Sequence, residues 1–150
     1  MLTLIPPVHR ATHRIGLYLE AGQRDALSQG ESHILALLAS SSGARPRGGQ
    51  SMTVGELHEG LAHRRSTLTS ILDRLVDRGL VTRDVGPNDR RTVVVATTAS
   101  GRRAARQVLN RLRALERAVS ARVSRADRAG FARVIAAIEA EADARAAARS

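Results

Sequence analysis

Two histidines bracket the stretch HEGLAH, His58 to His63. Its letters are close to the zinc-binding signature H-E-x-x-H, with one residue too many. In that signature the histidines stand at i and i+4 on one helical face, where both reach a single ion. Here the separation is i and i+5. At about 100° per residue the two rings would point well apart, and Gly60 between them weakens a helix. The chain has no cysteine to complete a soft metal site or to form a disulfide. No nucleophile elbow, phosphate loop or paired-carboxylate motif is found either. The sequence therefore predicts no enzyme, no resident cofactor and no metal.

The residues just after this stretch offer a different chemistry. Arg64, Arg65, Ser66, Thr67 and Ser70, with Arg74 one turn later, lie outside the apolar stripe of the segment that carries them. Arginine forks can take guanine in a bidentate fashion, and hydroxyls serve phosphates or bases. Further on, Asp89, Arg90 and Arg91 sit at a turn. A projecting arginine suits a minor groove, where narrow width concentrates negative potential. Asp89 can orient such an arginine through a charge-assisted hydrogen bond. The whole chain supports a polyanionic partner. Its net charge is +10, and all 24 basic residues are arginine. Only Tyr18 and Phe131 are aromatic, which disfavours a reader of single strands that stacks bases.

These residues need elements to position them. VHRATHRIGLYLEAG spaces Val8, Ala11, Ile15, Tyr18 and Leu19 as a helix does, after a PP that suits a helix start. SQGESHILALLAS gives a short helix with Ile34, Leu35, Leu37 and Leu38 inward. Ser40 to Ser51, rich in Ser, Gly, Pro and Arg, reads as a loop. Thr53 then caps a helix, with Glu56 at the capping-box spacing and Val54, Leu57 and Leu61 on one face. A turn of three or four residues separates it from a second helix striped by Leu68, Ile71, Leu72, Leu75 and Val76. Gly79 closes that helix. The period then becomes extended. LVTRDV and TVVVATT are β-prone runs, and GPNDRR is the turn between them. From Ala99 a long helix carries Val108, Leu112, Leu115, Val119 and Val123 at near coiled-coil spacing. A last helix, with Asp127 as its expected cap, carries Phe131, Val134, Ile135 and Ile138. The fold class is mainly α with a small β-wing. The expected architecture is a winged helix-turn-helix with N- and C-terminal dimerisation helices, the alternative being that the last two helices merely cover the core.

In this order, MTVGELHEGLAHRRSTLTSILDRLVDRGLVTRDVGPNDRRTVVVATTASGRR resembles the core of the multiple antibiotic resistance regulator (MarR) family. The helix pair, the NDRR wing and the TTASG opening of the long helix carry the resemblance. SQGESHILALLAS and the flanking helices extend it more weakly to most of the chain. The resemblance implies a homodimeric transcription regulator, usually a repressor, on a pseudo-palindromic operator. Arg64 to Thr67 and Ser70 would read the major groove. Arg90 and Arg91 would sit at the minor groove, with Asp89 holding the wing arginine. A small-molecule effector would relieve binding. The sequence departs from the family pattern at His58, where a small residue is usual, and at Thr97, where a leucine is expected. The loop from Ser40 to Ser51 is also longer than usual. Zinc-sensing relatives use His and carboxylate clusters, whereas His9, His13 and His33 read as scattered surface histidines.

One MarR-like domain over residues 1–150 is expected, with 1–27 and 99–150 as dimerisation helices and 28–98 as the DNA-binding lobe. No apolar run approaches a membrane span. The start MLTLIPPVHR lacks the basic-then-apolar order of a signal peptide, so a cytoplasmic protein is expected. The high charge leaves a second reading open, an architectural DNA-binding protein with little sequence preference. A third is a winged fold that serves protein docking.

Overall fold

The apolar spacing of the N-terminal segment winds Ile5–Glu20 into helix α1, with its prolines in the first turn. There their missing N–H groups cost nothing. Helix α1 is the first element of a computed structural model that describes residues 2–21, 26–41, 51–61, 65–86 and 90–148. Helix α2, Gln29–Ser40, opens on a capping box. The Glu31 amide donates to Ser28 Oγ at 3.3 Å, and the Ser28 amide donates to Glu31 Oε2 at 2.7 Å. Strand β1, Ser51–Thr53, leads directly into α3, Val54–Leu61. Helix α4 is Arg65–Asp77, and the wing strands are β2, Val81–Val85, and β3, Val93–Thr97. The long helix α5 is Ala99–Ser120, and α6 is Arg125–Ala147.

The expected cap of α3 forms as read. Glu56 N–H donates to Thr53 Oγ1 at 3.1 Å, and Thr53 N–H donates to Glu56 Oε2 at 2.7 Å. Gly79 ends α4 in the left-handed conformation, φ +64°. Its amide bonds Val76 O at 2.8 Å, and the Leu80 amide bonds Leu75 O at 2.9 Å. This paired 5→2 and 6→1 pattern is a Schellman ending, which favours glycine for its lack of a Cβ. Strand β1 was not foreseen. Its three residues pair antiparallel with β3, Met52 opposite Val95, so the wing sheet has the order β1-β3-β2. Three residues are too few for an alternating pattern to show in a sequence.

The chain divides into two compact units, Met1–Leu112 and Arg113–Ser150. The first unit holds one core. It comprises Ile34, Leu35 and Leu38 of α2, Leu57 and Leu61 of α3, Leu68, Ile71, Leu72 and Leu75 of α4, Val81 and Val95 of the wing, and Ala105 and Val108 of α5. Leu37 is half-buried and Val76 is exposed, so both stripes are narrower than their apolar letters suggested. Helix α1 contributes Leu19, while Ile5, Ile15, Leu17 and Tyr18 are left partly exposed.

In the second unit the cap of α6 is corrected. Ser124, not Asp127, is the N-cap, and Asp127 is the third helical residue of a capping box. The Asp127 amide donates to Ser124 Oγ at 3.1 Å, and the Ser124 amide returns a bond to Asp127 Oδ2 at 2.9 Å. The Ser124 hydroxyl also donates to Oδ2 at 2.6 Å. These bonds, the hydroxyl's first and the amide's second, hold the Asp127 carboxyl below its ordinary pKa. No residue of α6 is fully buried, and Phe131, Val134, Val119 and Val123 present apolar surface. No helix among the described residues is long and apolar enough to cross a membrane.

Candidate nucleic-acid interface

Helix α4 buries Leu68, Ile71, Leu72 and Leu75 on one side. At about 100° per residue, Ser66, Ser70 and Asp73 then lie on the opposite side, with Thr67 and Arg74 flanking them. Arg65, Ser66, Thr67, Ser70, Asp73 and Arg74 are all exposed. The arrangement follows from packing. The apolar stripe fixes the helix on the core, and the polar residues have nowhere else to go. Ser70 Oγ donates to Ser66 O at 3.2 Å, and Thr69 Oγ1 donates to Arg65 O at 3.0 Å. Both hydroxyls spend their proton inside the helix and keep lone pairs free to accept from outside. Arg64 lies outside the described residues.

The wing rises beside this helix. Strands β2 and β3 pair from Val81–Thr97 to Val85–Val93. The Gly86 amide closes the hairpin on Thr92 O at 2.8 Å. Arg90 and Arg91 are exposed in the connection. Asp89, expected to orient a wing arginine, lies outside the described residues. At the stem, Val85 and Val93 form an exposed cross-strand pair.

Arg74 has a second setting. It lines an open cleft of about 540 Å³ with Glu20, Leu27, Glu31, Asp77 and Arg78. Within this cleft the nearly buried Glu31 carboxylate receives Arg78 Nη1 at 3.3 Å, and the same nitrogen donates to Ala26 O at 3.4 Å. A smaller hollow of about 310 Å³ is lined by Val8, His9, Thr12, His13 and Gln29. His33 is exposed and His58 half-buried. Among the described residues no three His, Cys, Asp or Glu side chains are grouped to hold a metal ion.

Sequence reading missed three contacts that fix this geometry. Arg83 of β2 bonds Asp73 of α4, Nη1 to Oδ1 at 2.6 Å. Arg111 of α5 donates to Ala21 O at 2.7 Å and also to Tyr18 O, closing the end of α1. Its guanidinium stands 4.8 Å from the centroid of the Tyr18 ring. Thr98 Oγ1 accepts from the Gly101 amide at 3.0 Å and donates to Gly79 O at 2.7 Å, tying the start of α5 to the end of α4. For Arg83 and Arg111 the sequence signal was an arginine on a strand or helix with no obvious task.

Residues 27–93 match the model of the MarR family. No curated protein matches the chain. Among solved structures, Staphylococcus aureus MepR in a DNA complex superposes with a TM-score of 0.77 at 16% identity, covering 94% of this chain and 99% of that one. A mutant of E. coli MarR complexed with operator DNA gives 0.70 at 22% identity, covering 90% and 94%. BpsR of Bordetella bronchiseptica, whose DNA binding is regulated by 6-hydroxynicotinic acid, gives 0.69 at 18%, covering 89% and 96%. At these identities the likeness of structure establishes the winged fold.

Proposed function

We propose that this chain, whose residues 27–93 match the model of the MarR family, is a sequence-specific regulator of transcription that binds double-stranded DNA. The observation that carries this reading is the shared exposure of the polar face of α4 and the wing arginines Arg90 and Arg91. Arg65, Ser66, Thr67 and Ser70 enter the major groove from the N-terminal half of the reading helix, with Arg74 one turn later, and Arg64, expected from the sequence alone, joins them. Arg90 and Arg91 reach the minor groove, and Asp89 is expected, from the sequence alone, to hold the wing arginine. The net charge of +10 favours encounter with any duplex. Discrimination then rests on base edges.

The working form is a homodimer on a pseudo-palindromic operator, with residues 1–27 and 99–150 supplying the dimer helices. Exposed apolar residues support this in each unit taken alone: Ile5, Ile15 and Leu17 in the first, Val119, Phe131 and Val134 in the second. The dimer represses by occluding a promoter. A small-molecule effector relieves it by changing the spacing of two reading heads, whose half-sites lie about one helical turn apart. The regulation of BpsR by a small aromatic acid supports this part by analogy.

The test is binding to the duplex upstream of its own gene against a scrambled duplex, at two salt concentrations. A preference of about a hundredfold or more that survives the higher salt is expected for a specific regulator. Equal and strongly salt-sensitive binding to both would replace it with an architectural role. Arg91→Ala should cost about 1–3 kcal/mol of operator binding.

A further inference from the structure

The reading face of α4 carries an acid. Asp73 follows Ser66 and Ser70 on the side opposite the buried stripe, and its side chain is 56% exposed. A carboxylate turned toward a phosphate backbone repels it, so its presence on this face needs a reason. The reason lies across the groove between helix and wing. Arg83 projects from the edge strand β2 and places Nη1 2.6 Å from Asp73 Oδ1. Arg83 stands two residues before Val85, where the hairpin begins to close toward Arg90 and Arg91. It therefore occupies the seam between the two surfaces assigned to DNA.

Fold stability does not explain the pair. An ion pair this exposed contributes about 0–1 kcal/mol. Its effect on charge is larger in consequence. Together the two side chains present no net charge, whereas Arg83 alone would add one cation within reach of the backbone of any sequence. Each added phosphate contact strengthens binding to all duplexes and tells none apart.

We propose that Asp73 masks Arg83 and thereby limits sequence-independent binding at the seam between α4 and the wing. The partner concerned is the phosphate backbone of duplex DNA. The inference rests on the reading that α4 faces DNA. In a chain whose basic residues are all arginine and whose net charge is +10, such masking raises the ratio of specific to non-specific affinity without weakening the base contacts.

The experiment measures binding of the full-length protein and three variants to a mixed-sequence duplex and to the preferred upstream duplex across a salt series. The variants are Asp73→Asn, Asp73→Asn combined with Arg83→Ala, and Arg65→Ala. Asp73→Asn should bind the mixed duplex about three- to tenfold more tightly at low salt, with a slope of log K against log salt steeper by about 0.9 for each new phosphate contact. Its preference for the upstream duplex should fall, and adding Arg83→Ala should return the slope to that of the parent. Melting temperatures close to the parent's would show that every variant folds. If Arg65→Ala weakens binding but Asp73→Asn leaves affinity and slope unchanged, masking is wrong while the DNA-reading face stands. If Asp73→Asn loses affinity for the upstream duplex alone, Asp73 is a base reader and the proposal is overturned. If Arg65→Ala changes nothing on either duplex, α4 does not face DNA, and the proposal goes with that reading.

Discussion

Replacing Gly101 by alanine should destabilise the protein although it improves the intrinsic helix propensity of the residue. Gly101 is the third residue of α5 and is buried. A Cβ built on it would lie 1.8 Å from the Leu80 carbonyl oxygen and 2.9 Å from its carbon. Ordinary non-bonded carbon contacts begin near 3.5 Å, so the backbones must part by about 1.5 Å. Both are main chain, and no rotamer change can make room. The Leu80 oxygen also accepts from the Thr98 amide at 3.1 Å. Parting the backbones therefore strains the cap of α5 as well. Overpacking costs about 1–3 kcal/mol and a lost cap about 1 kcal/mol, against about 1 kcal/mol gained in propensity. The net expectation is a loss of about 2 kcal/mol, or a melting temperature lower by about 4–8 °C at this chain length. Denaturant unfolding followed by circular dichroism, at one fixed protein concentration, should show a lower midpoint at an unchanged slope. Gly79→Ala is the control. It meets no atom within 4 Å but must keep φ +64°, so it should lose only about 1 kcal/mol through backbone strain. A Gly101→Ala protein as stable as the parent would refute the close approach of α5 to Leu80.

Other perturbations test the remaining links. Glu31→Gln keeps the shape of the α2 cap but removes the carboxylate that Arg78 bonds, and should lower stability by about 1–2 kcal/mol in chemical unfolding. Arg111→Ala should increase hydrogen exchange in the last turn of α1, and Arg111→Lys should rescue it poorly, since one ammonium cannot reproduce the fork over Tyr18 O and Ala21 O. The Asp127 carboxyl has a lowered folded pKa, so its contribution to α6 is present above the ordinary carboxylate range and is lost as pH falls through that lowered value. Amide exchange in the first turn of α6 should rise on acidification. Asp127→Asn should remove that pH dependence.

Residue order alone determined the winged helix-turn-helix of this protein. Apolar residues at helical spacing in Leu68–Leu75 dictate which side of α4 faces the core, and so leave Ser66 and Ser70 outside. Thr53 with Glu56, and Gly79 after Asp77, mark helix ends through local hydrogen bonds that involve only near neighbours. Such features are legible because their physics is local. The partners of Arg83, Arg111 and Glu31 were not legible, because each lies on a different element: Asp73 ten residues away, Tyr18 ninety-three away, Arg78 forty-seven away. An arginine's fork reaches several angstroms, and only the packed core decides which oxygen comes within that reach. The strand β1 belongs to the same class. Ser51–Thr53 is extended because β3 offers it a free edge, which no property of three residues could announce. The cap of α6 is the instructive intermediate case. Ser124 and Asp127 both accept hydrogen bonds, the spacing permits either to start the helix, and the backbone assigns Ser124 the start and Asp127 the returning bond. Sequence thus dictated which surface is polar, and tertiary structure decided which of its charges stand alone and which are already answered.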